Sequence, residues 1–165
     1  MSNFIDQRLK LLSIDNAVKA KIEKIRPVIY ENFDDILAKF YKHIMSFPSG
    51  EKIFKDNAML VTLPEKQKAH WIALFSCKFD DAYQKNSMNI GRVHFKYGVA
   101  PYLYIAGYNF FQCELIKVIT FRHASDPDLC DMLTALTKLV ALDMDIALSA
   151  YTREYWQDTP QREAS

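Results

Sequence analysis

From Ile25 onwards the apolar residues Ile29, Phe33, Ile36, Leu37, Phe40 and Ile44 recur at steps of three and four, the period that lines up one face of an α-helix. Pro48 and Gly50 in "FPSG" predict its end. An earlier helix is expected over "SIDNAVKAKIEKI", capped by Ser13 or Asp15, and Pro27 leaves its junction with the next one open. Beyond an irregular stretch, Leu60, Leu63, Gln67, His70, Trp71 and Leu74 make a second helical stripe, with Pro64 near its start. A further helix should run from about Asp80 to His94 and stop at Gly98, a residue suited to a left-handed cap. Pro101 opens an aromatic helix (Tyr102, Tyr104, Tyr108, Phe110, Phe111) that reaches about His123. In "SDPDLCDML", Asp126 reads as a cap, Pro127 as the first helical position and Asp128 as a first-turn acid. The last stripe is Leu129, Leu133, Leu136, Val140 and Ala147, on a helix that extends to Tyr155 or Trp156. No segment has strand character, so the pattern predicts an all-α chain of six or seven helices.

Composition narrows the class. At 165 residues, 50% hydrophobic and 25% charged, the chain suits one soluble domain with a real core. A net charge of +1 gives no electrostatic case for a nucleic-acid partner. No apolar run approaches the ~20 residues that span a bilayer, and "MSNFIDQRLKLL" lacks the pattern of a signal peptide. Cys77, Cys113 and Cys130 have no metal-type spacing and read as reduced, buried residues of a cytoplasmic protein. Four glycines allow few tight turns, which argues against sheet. Aromatics make up 13% of the chain, enough to fill a helical core or to wall a flat ligand; composition leaves both open.

Little catalytic apparatus is legible. There is no Gly-x-Ser-x-Gly turn, no phosphate-cradling loop, and no His-x-x-x-His or Glu-x-x-His pair for zinc or di-iron. The acid pairs Asp34–Asp35 and Asp80–Asp81 diverge on a helix and read as solvated faces or helix-start charges. Of four histidines, His43 and His123 fall at helix ends, and His70 is on an inner stripe beside Trp71. His94 lies in the last turn of its helix, where spacing alone favours a core or cap histidine over a ligand-holding one. Tyr41, one turn after Leu37, falls on the inward side of its helix and needs a partner for its hydroxyl. Were an iron porphyrin in the core, His94 could ligate it and Tyr41 could offer its O–H to a diatomic ligand. Phe40, Phe54, Leu63, Trp71, Val93, Tyr97 and Tyr104 are available as apolar walls.

The segment "IGRVHFKYGVAPYLYIAGY" resembles the proximal segment of the globin domains of bacterial globin-coupled sensors and protoglobins, with the pattern Gly-x-x-His-x-x-x-Gly-x-x-Pro-x-x-Tyr. Gly91, His94, Gly98, Pro101 and Tyr104 all match. "KFYKHI" resembles that family's distal-side helix and "LPEKQKAHW" its E helix, so the likeness spans about Ile14 to Tyr155. The resemblance implies a globin fold, a helical sandwich around haem b (iron protoporphyrin IX), with an extra N-terminal helix and long C-terminal helices. It implies His94 as proximal iron ligand, Tyr41 as donor to bound O₂ (or CO, NO), Leu63 as the distal apolar residue, and Tyr104 as a relay behind His94. It also implies a homodimer through the last two helices.

The sequence departs from the family where relatives often carry Ser or Thr, one turn past Leu63, and offers Lys66 and Gln67 instead. Lys66 is expected to point outward to a haem propionate, with inward binding to ferric iron the alternative. The expected organisation is an N-terminal extension helix over 1–13, a sensor globin domain over 14–156, and a polar tail or linker over 157–165. The function so implied is a haem-based gas sensor, for O₂, signalling to a C-terminal chemotaxis module or a diguanylate cyclase. The chain itself is then not expected to be an enzyme. The alternatives are a stand-alone protoglobin for gas binding or NO and peroxide chemistry, and a haem-free helical interaction domain.

Overall fold

The computed structural model describes the backbone of residues 3–54 and 57–158, and the side chains of 4–54 and 61–151. Seven helices follow one another among these residues: α1 (Asn3–Leu11), α2 (Asn16–Ile44), α3 (Pro48–Ile53), α4 (Asn57–Phe75), α5 (Asp81–Lys96), α6 (Pro101–Arg122) and α7 (Leu129–Asp158). The described residues contain no strand, in keeping with the all-α expectation. The polar tail expected from 157 lies outside the described residues beyond Asp158, and the predicted stripe residue Leu60 lies outside the described side chains.

The two helices expected on either side of Pro27 are one. α2 is a single helix of 29 residues, started by Asp15, whose Oδ1 accepts from the Val18 amide at 2.9 Å. Pro27 is exposed, as is Glu23, whose carbonyl has lost the N–H it would otherwise receive, so water can satisfy it. An interior proline costs about 3 kcal/mol. Ile22, Ile25, Val28 and Ile29 are buried on both sides of it, and at about 1.5–3 kcal/mol for each buried aliphatic side chain they outweigh that cost.

Three further expectations are corrected. Pro64 is interior to α4, which begins at Asn57. Pro48 does not merely end a helix; it opens the short α3. α7 starts at Leu129, because Asp126 Oδ1 accepts from the Asp128 amide at 3.0 Å and holds 126–128 as a turn. The expectation that all three cysteines are buried also fails: Cys77 is buried, while Cys113 and Cys130 are exposed, and all are free thiols.

α5 ends as its sequence requires. Gly98 takes φ +66°, and the Val99 amide donates back to the His94 carbonyl at 3.0 Å, closing the helix one residue before α6 is set up by Ala100 and Pro101. The opposite face of α5 meets α7 at Gly91, where an added Cβ would lie 2.1 Å from the Ala147 carbonyl oxygen. The two backbones therefore touch one turn before His94. α1 lies against α7 as well, through an Arg8–Asp145 ion pair and an Arg8 hydrogen bond to Ser149 Oγ at 3.0 Å.

Candidate functional site

His94 is fixed by its own helix and by α6. Its Nδ1 donates to the Ile90 carbonyl at 2.8 Å, one turn back, and its ring packs edge-on against Tyr104 with centroids 4.8 Å apart. Burial pushes the imidazole below its ordinary pKa, against the opposing pull of the Ile90 carbonyl. The ring is therefore neutral at pH 7, with its proton on Nδ1 and its lone pair on Nε2. That is the state of a histidine ready to bind a metal through Nε2.

Tyr41 belongs to a second cluster that joins α2 to α4. Its hydroxyl donates to Gln67 Oε1 at 2.8 Å, and its ring is edge-on to Phe40 (5.3 Å) and Phe54 (5.7 Å). Burial pushes the phenol up to about 12, so it stays protonated and acts as a donor. α6 ties this cluster to His94: Tyr104 packs on His94, and three residues later Gly107 faces the Phe40 ring, which lies 3.5 Å from where a Cβ would sit.

The other expected site residues are dispersed. Leu63 is half-buried beside Gln67 on α4, whereas Lys66 is exposed. Val93 and Tyr97 flank His94 and are 40% and 52% exposed, which leaves apolar surface open beside the imidazole. Trp71 stands deeper, in an aromatic stack with Phe33, Phe75, Phe111 and Tyr108.

One feature of the neighbourhood was not singled out in the sequence. Asp143 of α7 is fully buried and accepts four hydrogen bonds: from Tyr83 Oη (2.7 Å) and Ser87 Oγ (2.8 Å) on Oδ1, and from His70 Nε2 (2.7 Å) and Tyr108 Oη (2.7 Å) on Oδ2. Asn86 Nδ2 lies 3.2 Å from His70 Nδ1 and so orients the ring whose Nε2 meets Asp143. Burial works to raise the Asp143 pKa, but His70 and the two tyrosine hydroxyls outweigh it and hold the carboxyl below its usual range. Tyr104 Oη donates to Tyr108 Oη at 3.0 Å, which links this carboxylate to the ring behind His94. The signal in the sequence was an acid at an inward position of the last stripe, three residues after Val140 and four before Ala147.

Among the described residues no cluster of three or more His, Cys, Asp or Glu could hold a metal ion unaided. A single neutral imidazole suits a metal whose other ligands come from a macrocycle, and the apolar faces of Val93 and Tyr97 beside it suit the flat wall of such a ring. The residues present thus fit an iron porphyrin.

Comparison with known proteins agrees with this chemistry. The model of the protoglobin family matches residues 2–157. The haem-based aerotactic transducer HemAT of Halobacterium salinarum is 25% identical over 160 residues, covering 91% of this chain but 33% of the transducer, so the chain spans about a third of that relative's length. Among solved structures, the globin domain of the Geobacter sulfurreducens globin-coupled sensor superposes with a TM-score of 0.81 at 16% identity, covering 88% of this chain and 96% of that one. The ferric globin domain of E. coli DosC superposes with a TM-score of 0.69 at 19% identity, over 92% of this chain and 99% of its own. Both likenesses show a globin fold.

Proposed function

The chain belongs to the protoglobin family, and on that premise we propose that it is a haem-based gas-sensing globin domain, with haem b as cofactor and O₂ as its principal ligand. The observation that carries the reading is the state of His94: a half-buried neutral imidazole whose Nδ1–H is committed to Ile90, leaving Nε2 to coordinate. Haem iron held there supplies reversible binding of a diatomic gas, CO and NO included.

Tyr41 is the proposed donor to that gas. Its protonated hydroxyl is engaged by Gln67 Oε1, so donation to a ligand exchanges one acceptor for another, and Gln67 sets how readily Tyr41 responds. Phe40, Phe54 and Leu63 supply apolar cover that keeps water from the distal side. Val93 and Tyr97 are assigned to contact with the porphyrin, and Trp71 and Tyr104 to support from the core. Lys66, being exposed, is assigned to the solvent edge and not to the iron.

Likeness to the Halobacterium transducer supports a chemotaxis signalling module as the C-terminal output. A homodimer through α6 and α7 is part of the proposal, with Tyr102 and Ile105, exposed one turn apart on α6, as candidate contacts. No helix among the described residues is long and apolar enough to cross a membrane, and the proposed setting is the cytoplasm. The deciding test is His94→Ala: the variant should keep its helical circular dichroism and lose the haem Soret band. A folded His94→Ala chain with an unaltered, stoichiometric Soret band would sink the assignment.

A further inference from the structure

The buried carboxylate of Asp143 is a costly feature in the middle of the apolar face of α7. An isolated charge there would be strongly disfavoured, and it persists because all four of its acceptor positions are filled. The four donors come from three other helices: His70 from α4, Tyr83 and Ser87 from α5, and Tyr108 from α6. Asp143 is thus the one point where α4, α5 and α6 are all fastened to α7 by hydrogen bonds among the described residues.

These donors are not equivalent. His70 is backed by Asn86, and Tyr83 and Ser87 lie near the start and middle of α5, well before His94. Only Tyr108 is joined to a ring that touches His94, because Tyr104 Oη donates to Tyr108 Oη and the Tyr104 ring lies edge-on to the imidazole. The hydroxyls run in one direction, from Tyr104 to Tyr108 to Asp143 Oδ2. A shift of the imidazole that tilts the Tyr104 ring must stretch or drag this line, and its far end is anchored on α7. Tight packing of Tyr104 and Tyr108, both under 9% exposed, leaves the rings no slack to absorb the shift.

We infer that Asp143 and Tyr108 form a hydrogen-bonded relay that passes displacement of His94 to α7, and that the other three bonds to Asp143 serve as the fixed mount. The inference rests on the sensor reading above. Both residues are positioning residues, acting on His94 through Tyr104. A second route exists in the structure, the direct backbone seam of Gly91 against Ala147, and it defines the competing outcome.

The test compares two deletions of equal size around one carboxylate. Tyr108→Phe removes one hydroxyl from Oδ2 and leaves His70 there; Tyr83→Phe removes one hydroxyl from Oδ1 and leaves Ser87. Haem-loaded wild-type chain and both variants are examined by amide hydrogen exchange across residues 129–151, in the ferrous unliganded and ferrous CO-bound states. The wild type should show a ligand-dependent difference in exchange around Asp143. Tyr83→Phe should keep that difference, and Tyr108→Phe should lose it while keeping its Soret band and CO binding. Should Tyr108→Phe not fold, Tyr104→Phe cuts the same line one step earlier, leaves all four bonds to Asp143 in place, and should lose the difference too. Survival of the difference in Tyr108→Phe (or in Tyr104→Phe, where that variant stands in) assigns the signal to the Gly91 seam and overturns the relay. Its loss in both Tyr108→Phe and Tyr83→Phe makes Asp143 merely structural, and its absence in wild type also overturns the relay. A wild-type chain that takes up no haem sinks the sensor reading as well, which separates the two failures.

Discussion

Gly91→Ala should destabilise the fold by forcing apart the two helices that meet at that residue. The new Cβ would lie 2.1 Å from the Ala147 carbonyl oxygen and 2.9 Å from its carbon, both backbone atoms, and must retreat beyond 3.0 Å. No side chain can rotate to relieve this, so α5 and α7 have to separate by roughly 1 Å along a tightly packed seam. Overpacking of this kind costs about 1–3 kcal/mol, and a clash between two backbones belongs at the upper end. Replacing glycine by alanine inside a helix returns about 1 kcal/mol of propensity. The net loss is about 2 kcal/mol, which for a chain of this size lowers Tm by about 4–8 °C. Gly107→Ala is the control, because its Cβ meets only the Phe40 ring at 3.5 Å, an ordinary contact, and the propensity gain stands nearly alone. Thermal unfolding followed by circular dichroism should therefore place Gly91→Ala below wild type and Gly107→Ala level with it or above. A Gly91→Ala chain as stable as wild type would refute the seam.

Two further outcomes follow from the site. Tyr41→Phe removes the proposed hydrogen bond to the bound gas, worth about 1–1.5 kcal/mol, so O₂ dissociation should speed roughly tenfold; stopped-flow displacement of O₂ by CO measures it, and an unchanged rate removes Tyr41 from the role. Asp143 has a folded pKa below that of the unfolded chain, so the stability it confers is complete above about pH 4 and is lost as pH falls through its depressed folded value. Urea unfolding at pH 6 and pH 3 should show wild type losing more stability than Asp143→Asn across that interval, and equal losses would mean that the carboxylate is not ionised in the fold.

How far the fold was legible depended on what each residue's role required of the chain nearby. Gly98 and Pro101 are local devices, a left-handed cap and a helix start, and they stand where the spacing predicted. Pro27 and Pro64 misled because a proline's local cost says nothing of the burial on either side; in α2 the apolar stripe continues in phase through Pro27. His94 could be placed at a helix end from spacing, yet its tautomer depends on the Ile90 carbonyl and became visible only with the backbone in place. Lys66 and Gln67 stood together in the sequence with no role assigned to Gln67, and the structure separates them, Gln67 bonded to Tyr41 and Lys66 in solvent. Asp143 was overlooked because a lone acid in an apolar stripe carries no sign of its partners, which lie on three helices remote in sequence.

That remoteness has a consequence for how the protein is made. Asp143 gathers donors that precede it in the chain by 73, 60, 56 and 35 residues, and Arg8 reaches Asp145 across 137. During synthesis His70, Tyr83, Ser87 and Tyr108 emerge long before the acceptor they share, and α1 emerges before the helix it docks on. Contacts of such long range close loops late and slow the final step of folding. The nascent chain therefore carries these four donors and α1 without their shared partner until α7 has emerged, and the emergence of α7 lets the carboxylate gather them.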